Sequence, residues 1–332
     1  MTVTRRLLLS ATLALATSVT GAGMMSRSAV AAEEYPARPV TMVVPVTPGG
    51  IVDFTARLIA EGLTSELGSQ FIVDNRGGAS GNIGIQRVAR ADPDGYTLLV
   101  AYSGYQVTNP SLFKKLTWDP IRDFMPVGLA IVAPHVIVAR KDLPVNSLQE
   151  LINYAKAHPG ELNFGTPGNG SIPHIGGEQL QQLTGTKMVH VPYKGTGPAM
   201  TDLLGGSVDL VITTPPSAAG HLRTGKVKGL ALAGDKRHPM LAELPTTAES
   251  GLPGFELEAW TAIYAPAGTP QPIVDKLAAS LEKVVKSEAF EKSALEQGTY
   301  AVHMGPKELG EFTRTELAQW GEVIKKAGIE LD

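Results

Sequence analysis

The chain has 332 residues, a formal charge of −3 and no cysteine. Mild acidity without basic runs argues against a nucleic-acid partner, and the missing thiols exclude disulfides, thiolate metal sites and a cysteine nucleophile. With 43% apolar residues, and 36 Gly and 24 Pro scattered along its length, such a chain builds a large core crossed by many tight turns.

Residues 1–31 read as a secretory signal peptide. Arg5 and Arg6 precede an uncharged apolar run, and Ala29-Val30-Ala31 offers a small-x-small cleavage site. Thr4-Arg5-Arg6-Leu7-Leu8-Leu9 also has the form of a twin-arginine signal, which leaves both the Sec and the Tat export routes open. The run is interrupted by Ser and Thr and falls short of the ~20 apolar residues a span needs. An exported chain without disulfides fits the bacterial periplasm.

After this segment the pattern predicts strands at 39–46, 70–76 and 96–103. Helices fall at 51–67, which stops at Gly68, and within 77–95. Continuous apolar strands alternating with helices indicate a parallel sheet covered by helices. Residues 116–128 read as irregular, Pro-rich chain, and 129–141 as one long extended run. A helix over 147–160 opens with a capping box, Ser147 and Glu150. The α/β alternation then restarts, with strands at 162–166, 187–193, 208–214 and 227–234. The helices between them are at 171–184, 195–206 and 215–225. A second extended run covers 259–268. Two helices close the chain, at 271–286, with Ile273, Leu277, Leu281 and Val284 on one face, and at 306–327. This order describes one α/β lobe, 32–133 with 258–332, interrupted by a second, 134–257. The crossing segments are 129–141 and 256–266.

Two glycine-rich strand-to-helix turns carry the functional signal: "VVPVTPGGIVDFTARLIAEGL" and "LNFGTPGNGSIPHIGGEQLQQLTG". A helix start leaves about four N–H groups unpaired and roughly half a positive charge. Glycine lets backbone approach a ligand closely. A carboxylate held between such starts needs no Arg or Lys. Gly49, Gly50, Gly168, Asn169, Gly170 and Ser171 are therefore candidate contacts. A third turn, 77–81, adds Ser80 and Asn82, and strand ends add Tyr102, Ser103 and Tyr193. Asp53 reads as a helix-dipole or capping residue, Lys194 as a surface or lobe–lobe residue, and Trp260 as hinge packing or a wall for an aromatic ligand.

An enzyme reading is weaker. Ser171 and His174 lie three apart, and Asp202 and Asp209 are available for a hydrolase, but there is no G-x-S-x-G elbow. No histidine spacing suggests a metal, and neither a P-loop nor a dinucleotide fingerprint is present. No cofactor and no metal are expected.

The stretches "VDNRGGASGNIG", "DPDGYTLL", "NPSLFKKLTWDPIRDFMPV", "LNFGTPGNGS", "VPYKGTGPAMTDLLGGSVDL", "PSAAGHLRTGKVKGLAL" and "WGEVIKKAGIELD" resemble the solute-binding proteins of tripartite tricarboxylate transporters, the Bug family. The resemblance runs in order through the whole chain after the signal peptide. It implies a type II periplasmic binding-protein fold, with two α/β lobes and a two-segment hinge around a central cleft. It also implies delivery of a small organic acid, a di- or tricarboxylate or an aromatic acid, to a membrane transporter; the chain is expected to act as a monomer. A ligand presenter for a membrane sensor would share this fold. In the family the ligand carboxylate meets backbone amides and bridging waters at both glycine turns, which here places Pro48, Gly49, Gly50 and residues 166–171, Thr166 included, at the ligand. This chain departs from the family pattern at Val46-Thr47 and at Thr213-Thr214, and both pairs are positions that can touch the ligand.

Overall fold

The computed structural model describes residues 35–331 apart from Lys194; the expected signal peptide lies outside the described residues. The first βα units follow the sequence pattern closely. They are β1 (Val40–Val44), α1 (Ile51–Leu67), β2 (Phe71–Asn75), α2 (Asn82–Ala89) and β3 (Thr97–Tyr102). Helix α1 starts at the predicted residue and stops where Gly68, at φ 71°, takes the left-handed conformation and donates its N–H to Thr64 O; glycine takes this conformation without a Cβ clash. Two one-turn helices, α3 (Ser103–Gln106) and α4 (Asn109–Leu112), lead to β4 (Phe124–Arg140).

Strand β4 is longer than the sequence suggests. The Pro-rich stretch read as irregular becomes strand from Phe124 onward, with register shifts near Pro126 and Leu129 that absorb the missing proline N–H. The second α/β run follows as α5 (Leu148–Ala157), β5 (Asn163–Thr166), α6 (Ile172–Thr184), β6 (Val189–Pro192), α7 (Thr196–Gly205), β7 (Leu210–Thr213), α8 (Pro215–Arg223) and β8 (Val227–Ala233). The chain ends with β9 (Glu258–Pro266), α9 (Gln271–Val285), α10 (Glu288–Glu296), β10 (Tyr300–Met304) and α11 (Pro306–Ala327). The sequence reading passed over α10 and β10. Every residue of β10 is half-buried, so the alternation that marks a strand is missing. The capping box of α5 is also only half formed. Ser147 Oγ accepts from Glu150 N, but the Glu150 carboxylate reaches back to Asn146 N at 2.7 Å and not to Ser147.

The strands form one path, β2-β1-β3-β9-β4-β7-β5-β6, with β8 and β10 also on β4. Strands β1, β2 and β3 pair in parallel, as do β5, β6 and β7. Strand β4 joins the two groups and exchanges partners midway: residues 124–134 pair with β9, whereas Val136 to Ala139 pair with β7. Three apolar clusters pack the sheet faces. Among the described residues, no helix is long and apolar enough to cross a membrane.

Candidate functional site

Open α/β sheets bind ligands beyond the carboxyl ends of their parallel strands. A cavity of about 1400 Å³ occupies this position, and all six parallel strands lead into its wall. Pro45, Val46 and Thr47 follow β1; Gly77, Gly78, Ala79, Ser80 and Gly81 follow β2; Tyr102 ends β3. Pro167, Gly168 and Asn169 follow β5, Thr196 opens the helix after β6, and Thr213 and Thr214 end β7. Five helices of eight or more residues therefore begin at this cavity: α1, α2, α6, α7 and α8. Four of the five starts, at Gly50, Gly81, Gly195 and Thr214, have no side-chain cap. Their partial positive charges add in one place. The only charged side chains on the wall, among the described residues, are Asp53 and Arg57, and they pair with each other at 3.0 Å.

The free donors are unevenly distributed. Among the described residues, the N–H groups of residues 50–53 have no protein acceptor, and neither do those of residues 77–81. In the second loop four consecutive residues lie in the left-handed region, including two that are not glycine, Ala79 at φ 47° and Ser80 at φ 50°. Such residues cost on the order of 1 kcal/mol each and cluster at functional sites. Asn109 Nδ2 braces the loop through Ser80 O at 2.8 Å and Asn82 Oδ1 at 3.0 Å, and Trp118 Nε1 also donates to that oxygen.

The turn 168–171 is instead largely self-satisfied. Gly168 N donates to Thr166 Oγ1 and Ser171 N to Gly168 O, which leaves Asn169 N without an acceptor among the described residues. Gly170 N donates to His174 Nδ1 at 3.0 Å, so it is not a spare donor as the sequence suggested. Behind the turn, the His174 ring stacks on His190 with centroids 3.7 Å apart, and His190 Nε2 meets Thr166 Oγ1 at 2.6 Å. Burial lowers the His174 pKa to about 4. Burial first, then the neighbouring His174, lowers His190 to about 3. Both rings are neutral at neutral pH.

Of the residues singled out from sequence, Gly49, Gly50, Ser80, Tyr102, Gly168, Asn169, Ser171, Thr213 and Thr214 lie on the wall. Pro48, Ser103, Thr166, Gly170 and Tyr193 are not part of it. Ser103 is buried and its Oγ accepts from Trp260 N; Tyr193 donates its hydroxyl to Asp202 at 2.7 Å. Gly49 N–H is taken by Asp53 Oδ2 at 3.0 Å, so Asp53 holds the turn as a capping residue would. Burial works to raise the Asp53 pKa, but the Gly49 N–H, Arg57 and Asn75 together hold it below the ordinary carboxylate value. Trp260 is buried and off the cavity wall, its Nε1 directed to Glu316. The hydrolase alternative finds no relay. Ser171 Oγ donates to Gly168 O and caps His174 N, while Asp209 is engaged by Arg140 and Asn163 N. No metal-binding cluster occurs among the described residues.

Sequence reasoning missed Arg57, Tyr105, His135 and Gln297, all on the wall. Arg57 was legible as the i+4 partner of Asp53. His135 stands out as the one polar side chain within 129–139.

The comparisons agree with this architecture. The family model described as "Tripartite tricarboxylate transporter family receptor" matches residues 55–329. BugT of Bordetella pertussis is 36% identical over 303 residues, 91% of this chain and 93% of that protein. Rpa4515 of R. palustris, solved with adipate, superposes with a TM-score of 0.80 at 38% identity, covering 89% of this chain and 99% of the other. MatC from Rhodopseudomonas palustris, solved with bound malate, gives 0.76 at 36% identity, covering 87% and 100%. The fold is that of the periplasmic solute-binding proteins. This chain belongs to the tripartite tricarboxylate transporter receptor family.

Proposed function

We propose that the protein captures a small organic carboxylate in this cavity, in the periplasm, and delivers it as a monomer to a tripartite membrane transporter. The observation that carries the reading is the donor set, five helix starts around one cavity with no unpaired charge on its wall. Such a wall neutralises an anion with backbone dipoles alone. The unpaired N–H groups of residues 50–53 and 77–81 take one carboxylate, and Asn169 and Thr214 hold it from the other side. Residues 35–133 with 258–331 form one lobe and 134–257 the other, and the bend between them lies where β4 changes partners. Solved relatives hold adipate and malate, so dicarboxylates are the first candidates. The ligand-holding role needs no catalysis.

A thermal-shift series on the secreted form, with C4 to C6 dicarboxylates and aromatic acids, tests this. A ligand at 100 times its Kd stabilises by about 2.7 kcal/mol. Closure of the lobes should also reduce the radius of gyration in solution scattering. If no carboxylate raises the melting temperature, the reading fails.

A further inference from the structure

His135 lies at the point where β4 leaves β9 for β7 and β8. It is 2% exposed, yet it forms part of the cavity wall. Its backbone N–H and its ring Nδ1 both meet the same carbonyl, Leu257 O, each at 3.0 Å. A carbonyl oxygen only accepts, so Nδ1 must carry the ring proton. Burial lowers the pKa of this ring to about 4 despite that bond, so the imidazole is neutral at neutral pH. Nε2 is then a bare lone pair, and it has no partner among the described residues.

This fixed tautomer has a chemical consequence. A carboxylate offers only lone pairs and is repelled by Nε2, whereas a hydroxyl or amine on the ligand can donate to it. The charged side chains on the wall among the described residues, Asp53 and Arg57, pair with each other. We infer that His135 is a specificity-determining residue, whose Nε2 accepts a hydrogen bond from a hydroxyl on the ligand's carbon chain, so that the preferred ligand is a hydroxycarboxylate. The inference rests on the carboxylate reading above and sharpens it. Because Leu257 O belongs to the second crossing segment, the acceptor is also oriented by the junction between the two strand groups.

Matched acid pairs test it by calorimetry: succinate against malate, glutarate against 2- and 3-hydroxyglutarate, adipate against 3-hydroxyadipate. For at least one pair the wild type should bind the hydroxylated member about tenfold more tightly, the effect of one hydrogen bond near the upper end of its usual range. In His135→Asn the side-chain amide replaces the Nδ1 donor toward Leu257 O and removes Nε2, and the ratio should fall to near one. In His135→Gln an amide oxygen reaches the Nε2 position, and the preference should persist. Melting curves confirm that both variants are folded. A ratio near one for every pair in the wild type, with the acids themselves binding, overturns the inference and spares the carboxylate reading. An undiminished ratio in His135→Asn also overturns it. If no acid of either kind binds the wild type, the carboxylate reading falls, and this inference with it.

Discussion

Replacing Gly50 with Val should separate binding from folding. Gly50 has φ −92° and ψ 175°, extended backbone that any residue adopts. A Cβ added there meets no atom within 4 Å, and the Phe54 N–H bond to Gly50 O at 3.0 Å does not involve the side chain. Valine is a poorer helix cap than glycine, at a cost of about 0.5–1 kcal/mol. The stiffer unfolded chain returns about 0.4–1 kcal/mol. The two offset, so the melting temperature without ligand should move by no more than about 2 °C. Binding should respond very differently, because the isopropyl group occupies the approach to the free N–H groups of residues 50–53. Two charge-assisted hydrogen bonds at about 1.5–3 kcal/mol each correspond to a loss of roughly a hundredfold to ten-thousandfold in affinity. Calorimetry with a dicarboxylate that binds the wild type reads this directly. A Kd within threefold of wild type would refute the assignment of the anion to the start of α1. Gly170→Val is the contrasting case. At φ 74°, with its Cβ 2.7 Å from Leu112 Cδ1 and 2.9 Å from Leu331 Cδ1, it should lower stability with or without ligand.

Ser171→Ala removes the oxygen that caps His174 N and donates to Gly168 O at 2.7 Å; scanning calorimetry should show a loss of about 1 kcal/mol, or roughly 2 °C, and an unchanged melt would show the cap to be idle. The three neutral histidines set an acid limit. His135 and His174 are lowered to about 4 and His190 to about 3, so the unfolded chain protonates first as pH falls. Their contribution is complete above about 6.5 and is lost as pH drops from there toward 4. Urea midpoints at pH 7.5, 6.0 and 5.0 should therefore decline, and a flat series would contradict the burial argument. Glu258 has the opposite sign. Burial, then Asp235 and Glu256, raises its pKa to about 7, so its contribution is complete below about 4.5 and is lost as pH rises through 7. Glu258→Gln should raise the melting temperature by a few degrees at pH 8 and change it little at pH 5; equal effects at the two values would argue against a titrating carboxyl.

Local rules were enough for most of the elements, though not for α10 and β10, and for the glycine turns that line the cavity. Apolar periodicity and Gly68 bounded α1 to the residue, because both act within one or two turns of chain. The glycine turns at 49–50, 77–81 and 168–170 were legible for the same reason, since freedom from a Cβ is a property of the residue itself. Tertiary structure decided which of those turns has donors to offer. Gly170 looked equivalent to Gly50, but His174, held against His190 from another strand, takes its N–H. Ser103 looked like a site hydroxyl, yet Trp260, more than 150 positions away, claims it. The partner exchange of β4 was hidden because its partners on both sides, β7 and β9, lie far along the chain from it. The role of His135 was hidden with it, since only the carbonyl of Leu257 determines which of its nitrogens keeps a lone pair. Whether a polar atom is free depends on every group that folding brings to it, and sequence spacing carries no record of partners that distant.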